Sequence, residues 1–135
     1  MTTATAPRRV QRQRTRGWTA PLDHLGRKPV YVGRGTPYGN PWIITQDNHR
    51  NWIVMWDGTR QQALPRGLNT FTPADDRRDA HATAVRLYRE HLDAHPELVE
   101  RARRDLAGRD LMCWCALKPV RLPCHVDVLL SLVNG

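Results

Sequence analysis

Apolar positions along the chain fall into short runs punctuated by glycine and proline. Pro29-Val30-Tyr31-Val32-Gly33 is β-rich and bounded at both ends by such residues, which predicts a strand. The next stretch, Gly33 to Pro41, holds three glycines and two prolines and predicts a shaped loop instead of regular structure. Two further β-rich runs, Trp42 to Thr45 and Trp52 to Trp56, flank polar Gln46 to Asn51 and predict a hairpin. A polar stretch containing Gly and Pro follows to Asn69. Thr72-Pro73 then predicts a helix start, with Thr72 as N-cap, Pro73 in the first turn, and Asp75 and Asp76 at the positive end of the helix dipole. Ala80, Ala84, Leu87, Tyr88 and Leu92 recur at helical spacing and mark its buried face. A second helix starts at Pro96, carries the stripe Leu98, Val99, Ala102 and Leu106, and ends at Gly108. Leu111 to Cys115 predicts a strand, and His125 to Val133 a last helix. This order predicts an α/β fold, a small single-domain sheet with packed helices over residues 23–135.

Charge changes the picture at the N-terminus. The 135 residues carry a formal net charge of +8, yet no acidic residue precedes Asp23. Arg8, Arg9, Arg12, Arg14 and Arg16 all lie in that acid-free segment, which also lacks apolar periodicity. Residues 1–22 therefore read as a basic arm. Arginine pairs phosphate oxygens bidentately, so the arm suits nucleic-acid contact, with Trp18 placed to stack on a base. A solvated tail, with Trp18 anchoring it to the core, is the competing reading. The longest apolar runs fall far short of the roughly 20 residues that span a bilayer, and no secretory signal opens the chain. With three cysteines and no such signal, a disulfide framework is not expected; a reduced, cytoplasmic protein without a membrane partner is.

Two segments carry candidate chemistry. Gly33-x-Gly35-x-x-x-Gly39 follows a strand, but its spacing is one residue too long for a dinucleotide fingerprint and it leads into another β-rich run. It reads either as a turn needing positive φ or, with Arg34, as a loop where a phosphate approaches the backbone. The second segment gathers every cysteine of the chain: Cys113-Trp114-Cys115 and Cys124-His125. It admits three readings. In the first, Cys124 at the start of a helix, or Cys115, is an activated thiol with His125 nearby. In the second, Cys113, Cys115, Cys124 and His125 ligate zinc. In the third, the cysteines are small buried hydrophobes. An extended Cys-x-Cys strand holds its sulfurs far apart for one ion, which puts thiol chemistry ahead of zinc.

The segments Arg14 to Trp18, Val30 to Arg34 with Gly39-Asn40-Pro41, and Leu111 to Cys115 with Cys124 to Leu130 resemble a family of unknown function found in bacteria, notably actinobacteria, and in their phages. Val126 stands where that family usually has Ala or Gly, and residues 48–69 look like an addition. The resemblance implies an α/β domain in a phage or mobile-element setting. It also draws attention to Gly33, Arg34, Asn40, Cys115, Cys124, His125 and Asp127 as site residues. Together these features predict a nucleotide- or nucleic-acid-processing enzyme. Gly33, Arg34, Gly35 and Asn40 would bind the ligand, and Cys115, Cys124, His125 and Asp127 would carry the chemistry. The alternative is a zinc-stabilised nucleic-acid-binding module without catalysis.

Overall fold

A computed structural model describes residues 6–56 and 71–134. The polar stretch expected over residues 57–69 lies outside them. Among the described residues nine elements follow in order: strands β1 (Arg9–Gln11), β2 (Val30–Tyr31), β3 (Trp42–Gln46), β4 (Trp52–Trp56) and β5 (Phe71–Ala74), helices α1 (Arg77–Asp93) and α2 (Pro96–Leu106), strand β6 (Leu111–Cys113) and helix α3 (His125–Asn134). They build two small sheets, a parallel one of order β1-β6-β2 and an antiparallel one of order β3-β4-β5. The α/β reading and the single small domain hold.

The hairpin has the register its apolar pattern implies, pairing Trp42 with Trp56 and Ile44 with Val54. Trp42 and Trp56 meet edge-on, with ring centroids 5.2 Å apart. This places a large aromatic pair on the face that α1 covers.

Helix α1 joins the two sheets. Its Ala80, Ala84 and Leu87 join a cluster with Trp42 and Val54, and its Tyr88 and Leu92 join the main core. That core gathers Val32, Leu106, Leu111, Val126 and Leu129 between the parallel sheet, α2 and α3. The helix starts later than the sequence predicts. Thr72 and Pro73 lie in β5, opposite Val54 and Ile53, and the N-cap is Asp76, whose carboxylate accepts from the Asp79 N–H at 2.7 Å. Proline is tolerated there because β5 is an edge strand.

The N-terminal segment also departs from expectation. Residues 9–11 are no arm but an edge strand, running parallel to β6 with Arg9 opposite Leu111 and Gln11 opposite Cys113. Hydrophobic periodicity misses it because its order comes from backbone pairing and two carboxylates. Asp110 accepts from the Arg8 backbone N–H at 2.7 Å and from its guanidinium at 2.9 Å. The Arg9 guanidinium, 1% exposed, donates to Asp127 at 2.9 Å and to the Ala116 carbonyl at 3.1 Å.

All three parallel strands point the same way. Arg12, Val32-Gly33 and Trp114-Cys115 therefore emerge together at the carboxyl end of the sheet, where open α/β sheets hold their ligands.

Candidate functional site

At that carboxyl end lies a cleft of about 610 Å³, within the size range of small-molecule sites. The glycine loop and the cysteine corner, distant in sequence, both line it through Gly33, Arg34, Asn40, Cys113, Cys115, Cys124 and His125. Strand β6 ends at Cys113, so the chain bends at Trp114 and Cys115 instead of continuing extended. This removes the geometric objection to a shared ion. The three sulfurs all lie within 4.8 Å of one another, with Cys113 and Cys124 in contact at 2.9 Å. Three sulfurs bound to one zinc sit about 3.8 Å apart, given Zn–S bonds of about 2.3 Å. The cluster is thus of a size to close on a metal ion.

Thiols this close cannot all ionise without a counter-cation, because like charges at short range oppose one another. Hydrogen bonds from Cys115 and Cys124 pull the Cys113 thiol well below its ordinary value. Donating to Cys113 pushes Cys115 and Cys124 up. The sequence places an activated thiol at Cys124, on the helix dipole, or at Cys115; the mutual hydrogen bonds instead favour ionisation at Cys113 and hold Cys115 and Cys124 protonated. A divalent cation would replace those protons and let all three ionise.

His125 stands outside the sulfur cluster. Its Nε2 donates to the Val32 carbonyl at 2.8 Å, which leaves Nδ1 as the unprotonated nitrogen, 3.5 Å from Cys124 Sγ. The ring packs edge-on against Tyr88, centroids 5.1 Å apart, and burial holds it below the ordinary imidazole value and neutral. Asp127 does not line the cleft. Its carboxylate accepts from Arg9, from Arg121 at 2.7 Å and from the Cys124 backbone N–H at 3.3 Å, so it caps α3 and locks β1 against the cysteine corner.

The loop residues divide in the same way. Asn40 donates from Nδ2 to the Ala84 carbonyl at 2.9 Å and accepts from the Trp42 N–H at 3.0 Å, tying the loop to α1. Gly35 adopts φ +93°, which glycine alone tolerates without strain. Gly33 has no positive φ; a side chain there would overlap the Tyr31 ring that lies across it. Arg34 is exposed on the rim and has no carboxylate partner among the described residues. Of the N-terminal residues, Arg8 and Arg9 are consumed by the fold, while Arg12, Arg14 and Arg16 are exposed and Trp18 is half-buried.

Sequence reasoning missed four cleft residues: Trp42, Trp52, Arg77 and His81. Arg77 and His81 lie one helical turn apart on α1, beside its apolar stripe, and that i, i+4 spacing was the available signal. His81 Nδ1 donates to the Pro123 carbonyl at 3.2 Å, leaving Nε2 as the basic nitrogen. Burial lowers its pKa and keeps it neutral near pH 7. Among the described residues lining the cleft none is acidic, while two are arginines and three are tryptophans.

No helix among the described residues is long and apolar enough to cross a membrane. No curated protein and no solved structure matches the chain. A family model described as a domain of unknown function, DUF4326, matches residues 10–135, from the second residue of β1 to the C-terminus, and the chain belongs to that family.

Proposed function

We propose that the protein is a hydrolytic enzyme acting on a nucleotide or nucleic acid, with a zinc ion held by Cys113, Cys115 and Cys124 as its reaction centre. The observation that carries this reading is the convergence of three sulfurs on a cleft lined by arginine and tryptophan and, among the described residues, by no carboxylate. Structural zinc sites are closed by four protein ligands, whereas catalytic ones keep a position open. Here His125 is bound to Val32 and outside the sulfur group, so the protein offers three ligands and a face toward the cleft. Bound there, zinc supplies a Lewis acid and a water of lowered pKa.

The surrounding residues fit that chemistry. Arg34 and Arg77 complement phosphate, and the indole rings of Trp42, Trp52 and Trp114 suit a base. His81, neutral with Nε2 free of its Pro123 bond, serves as the general base for the attacking water. Asp127 and Arg9 act as positioning residues that hold Cys124 in place.

Elemental analysis of the purified full-length protein, paired with a hydrolysis screen over nucleoside mono- and triphosphates and a single-stranded oligonucleotide, tests this. One equivalent of zinc is expected, lost in Cys115→Ser, with hydrolysis abolished by chelation and restored by zinc while the helical signal persists. Metal-free protein with one rapidly alkylated thiol would overturn zinc in favour of a cysteine enzyme. Zinc whose removal unfolds the chain, with neither nucleotide nor oligonucleotide turned over, would favour the zinc-stabilised binding module instead.

A further inference from the structure

We infer that the cleft takes one nucleotide of a single-stranded nucleic acid and binds the strand more tightly than a free nucleotide, the strand leaving over Trp114 and along Arg12 and Arg14. This rests on the nucleotide cleft proposed for the same site and names its substrate class. Trp114 sits between two of the three sulfur donors, lines the cleft and, at 40% exposure, is the one tryptophan among the exposed large hydrophobics of the described residues. Two guanidiniums lie over its ring, Arg12 at 5.1 Å and Arg14 at 4.9 Å from the centroid, and Arg12 is also 5.1 Å from the Tyr31 ring centre. The array is anchored, because the Arg12 N–H donates to the Cys113 carbonyl at 2.7 Å.

The basic segment is thereby split by function. Arg8 and Arg9 have carboxylate partners, whereas Arg12, Arg14 and Arg16 have none among the described residues. Arg34 and Arg77 already supply cations inside the cleft for one nucleotide's phosphate. Cations that continue past the rim, alternating with aromatic rings, match successive phosphates and bases of a polymer. Only unpaired bases offer free faces to an indole, which selects a single strand over a duplex.

Fluorescence anisotropy on the full-length, zinc-loaded protein tests this with an oligothymidylate of about fifteen nucleotides, in the range of single-strand site sizes. Comparison probes are its abasic counterpart of equal charge, a duplex of the same length, polyglutamate and a mononucleotide. The oligothymidylate should bind about tenfold or more tightly than the abasic strand, since stacking contributes through each base. Arg12→Gln with Arg14→Gln should remove that advantage and flatten the logarithmic salt slope by about 1.4, two phosphates at about 0.7 each. Both positions are exposed, and mononucleotide binding should be unchanged. Equal binding of the abasic strand or polyglutamate, a preference for duplex, or an unaltered double variant would overturn the inference. The mononucleotide separates the two failures. If it binds and the oligomer binds no tighter, the cleft stands and the strand track falls. If the oligomer alone binds, through Arg12 and Arg14, the track stands and the nucleotide cleft falls.

Discussion

Arg9 and Arg12 are three residues apart in one acid-free run, yet the fold uses them in opposite ways. Arg9 is buried against Asp127 and the Ala116 carbonyl, beside the cysteine corner, while Arg12 lies exposed on the Trp114 ring. Little in the local sequence separates them, since Arg9 has only Val10 as an apolar neighbour, and the carboxylate that selects Arg9 comes from helix α3, 118 positions later. Removing the Arg9 guanidinium loses its bonds to Asp127 and to the Ala116 carbonyl, while the half-buried Asp127 keeps Arg121. Arg9→Ala should therefore cost about 1–3 kcal/mol in denaturant unfolding. Arg16→Ala, at an exposed position of the same run, should stay within about 0.5 kcal/mol. Equal, small effects from both would mean that the N-terminal strand adds nothing to the fold.

Elements whose order comes from side-chain periodicity were legible, and elements ordered by distant partners were not. Helix α2 begins at the proline the sequence marks, α3 covers the aliphatic run from His125, and the hairpin strands fall within a residue of expectation. Strand β1 was hidden because only Val10 in it is apolar and its pairing partner is β6, about 100 residues away. Helix α1 starts after the Thr72-Pro73 signal because β5 needs that pair for its register with Val54 and Ile53, and Asp76, which the sequence marks only as a charge on the helix dipole, is the N-cap. The two assignments predict different mutants. Asp76→Ala removes the side-chain bond to the Asp79 N–H and should cost about 1 kcal/mol. Thr72→Val keeps a β-branched residue in a strand and should change stability by less than about 0.5 kcal/mol. Chemical denaturation of the two variants decides between the starts, since a cap at Thr72 would reverse their order.

At the scale of the whole molecule, the cleft is a consequence of topology. Parallel strands bring Gly33, Arg12 and Cys115 to one end of a sheet, and α1 sets Arg77 and His81 opposite them. The sequence pointed to the cysteine corner and the glycine loop by residue type. It could not show that the chain bends after Cys113, which is what converges the sulfurs, nor that Trp42 and Trp52 from the other sheet complete the wall. Both sheets contribute lining residues, so the site survives only if they fold as one unit, and α1 is the element that couples them. Leu87 belongs to the cluster with Trp42 and Val54, one residue from Tyr88, which packs in the main core and donates to the Tyr38 carbonyl at 2.7 Å. Truncation at Leu87, 3% exposed, should cost about 2–5 kcal/mol. A continuous helix cannot release one cluster and keep the other, so Leu87→Ala should lower a single transition. The near-UV dichroism of the packed tryptophans and the far-UV helix signal should then fall at the same denaturant concentration. Loss of the near-UV signal well before the helix signal would show the antiparallel sheet to be a separate unit, and the cleft would then open before the parallel core melts.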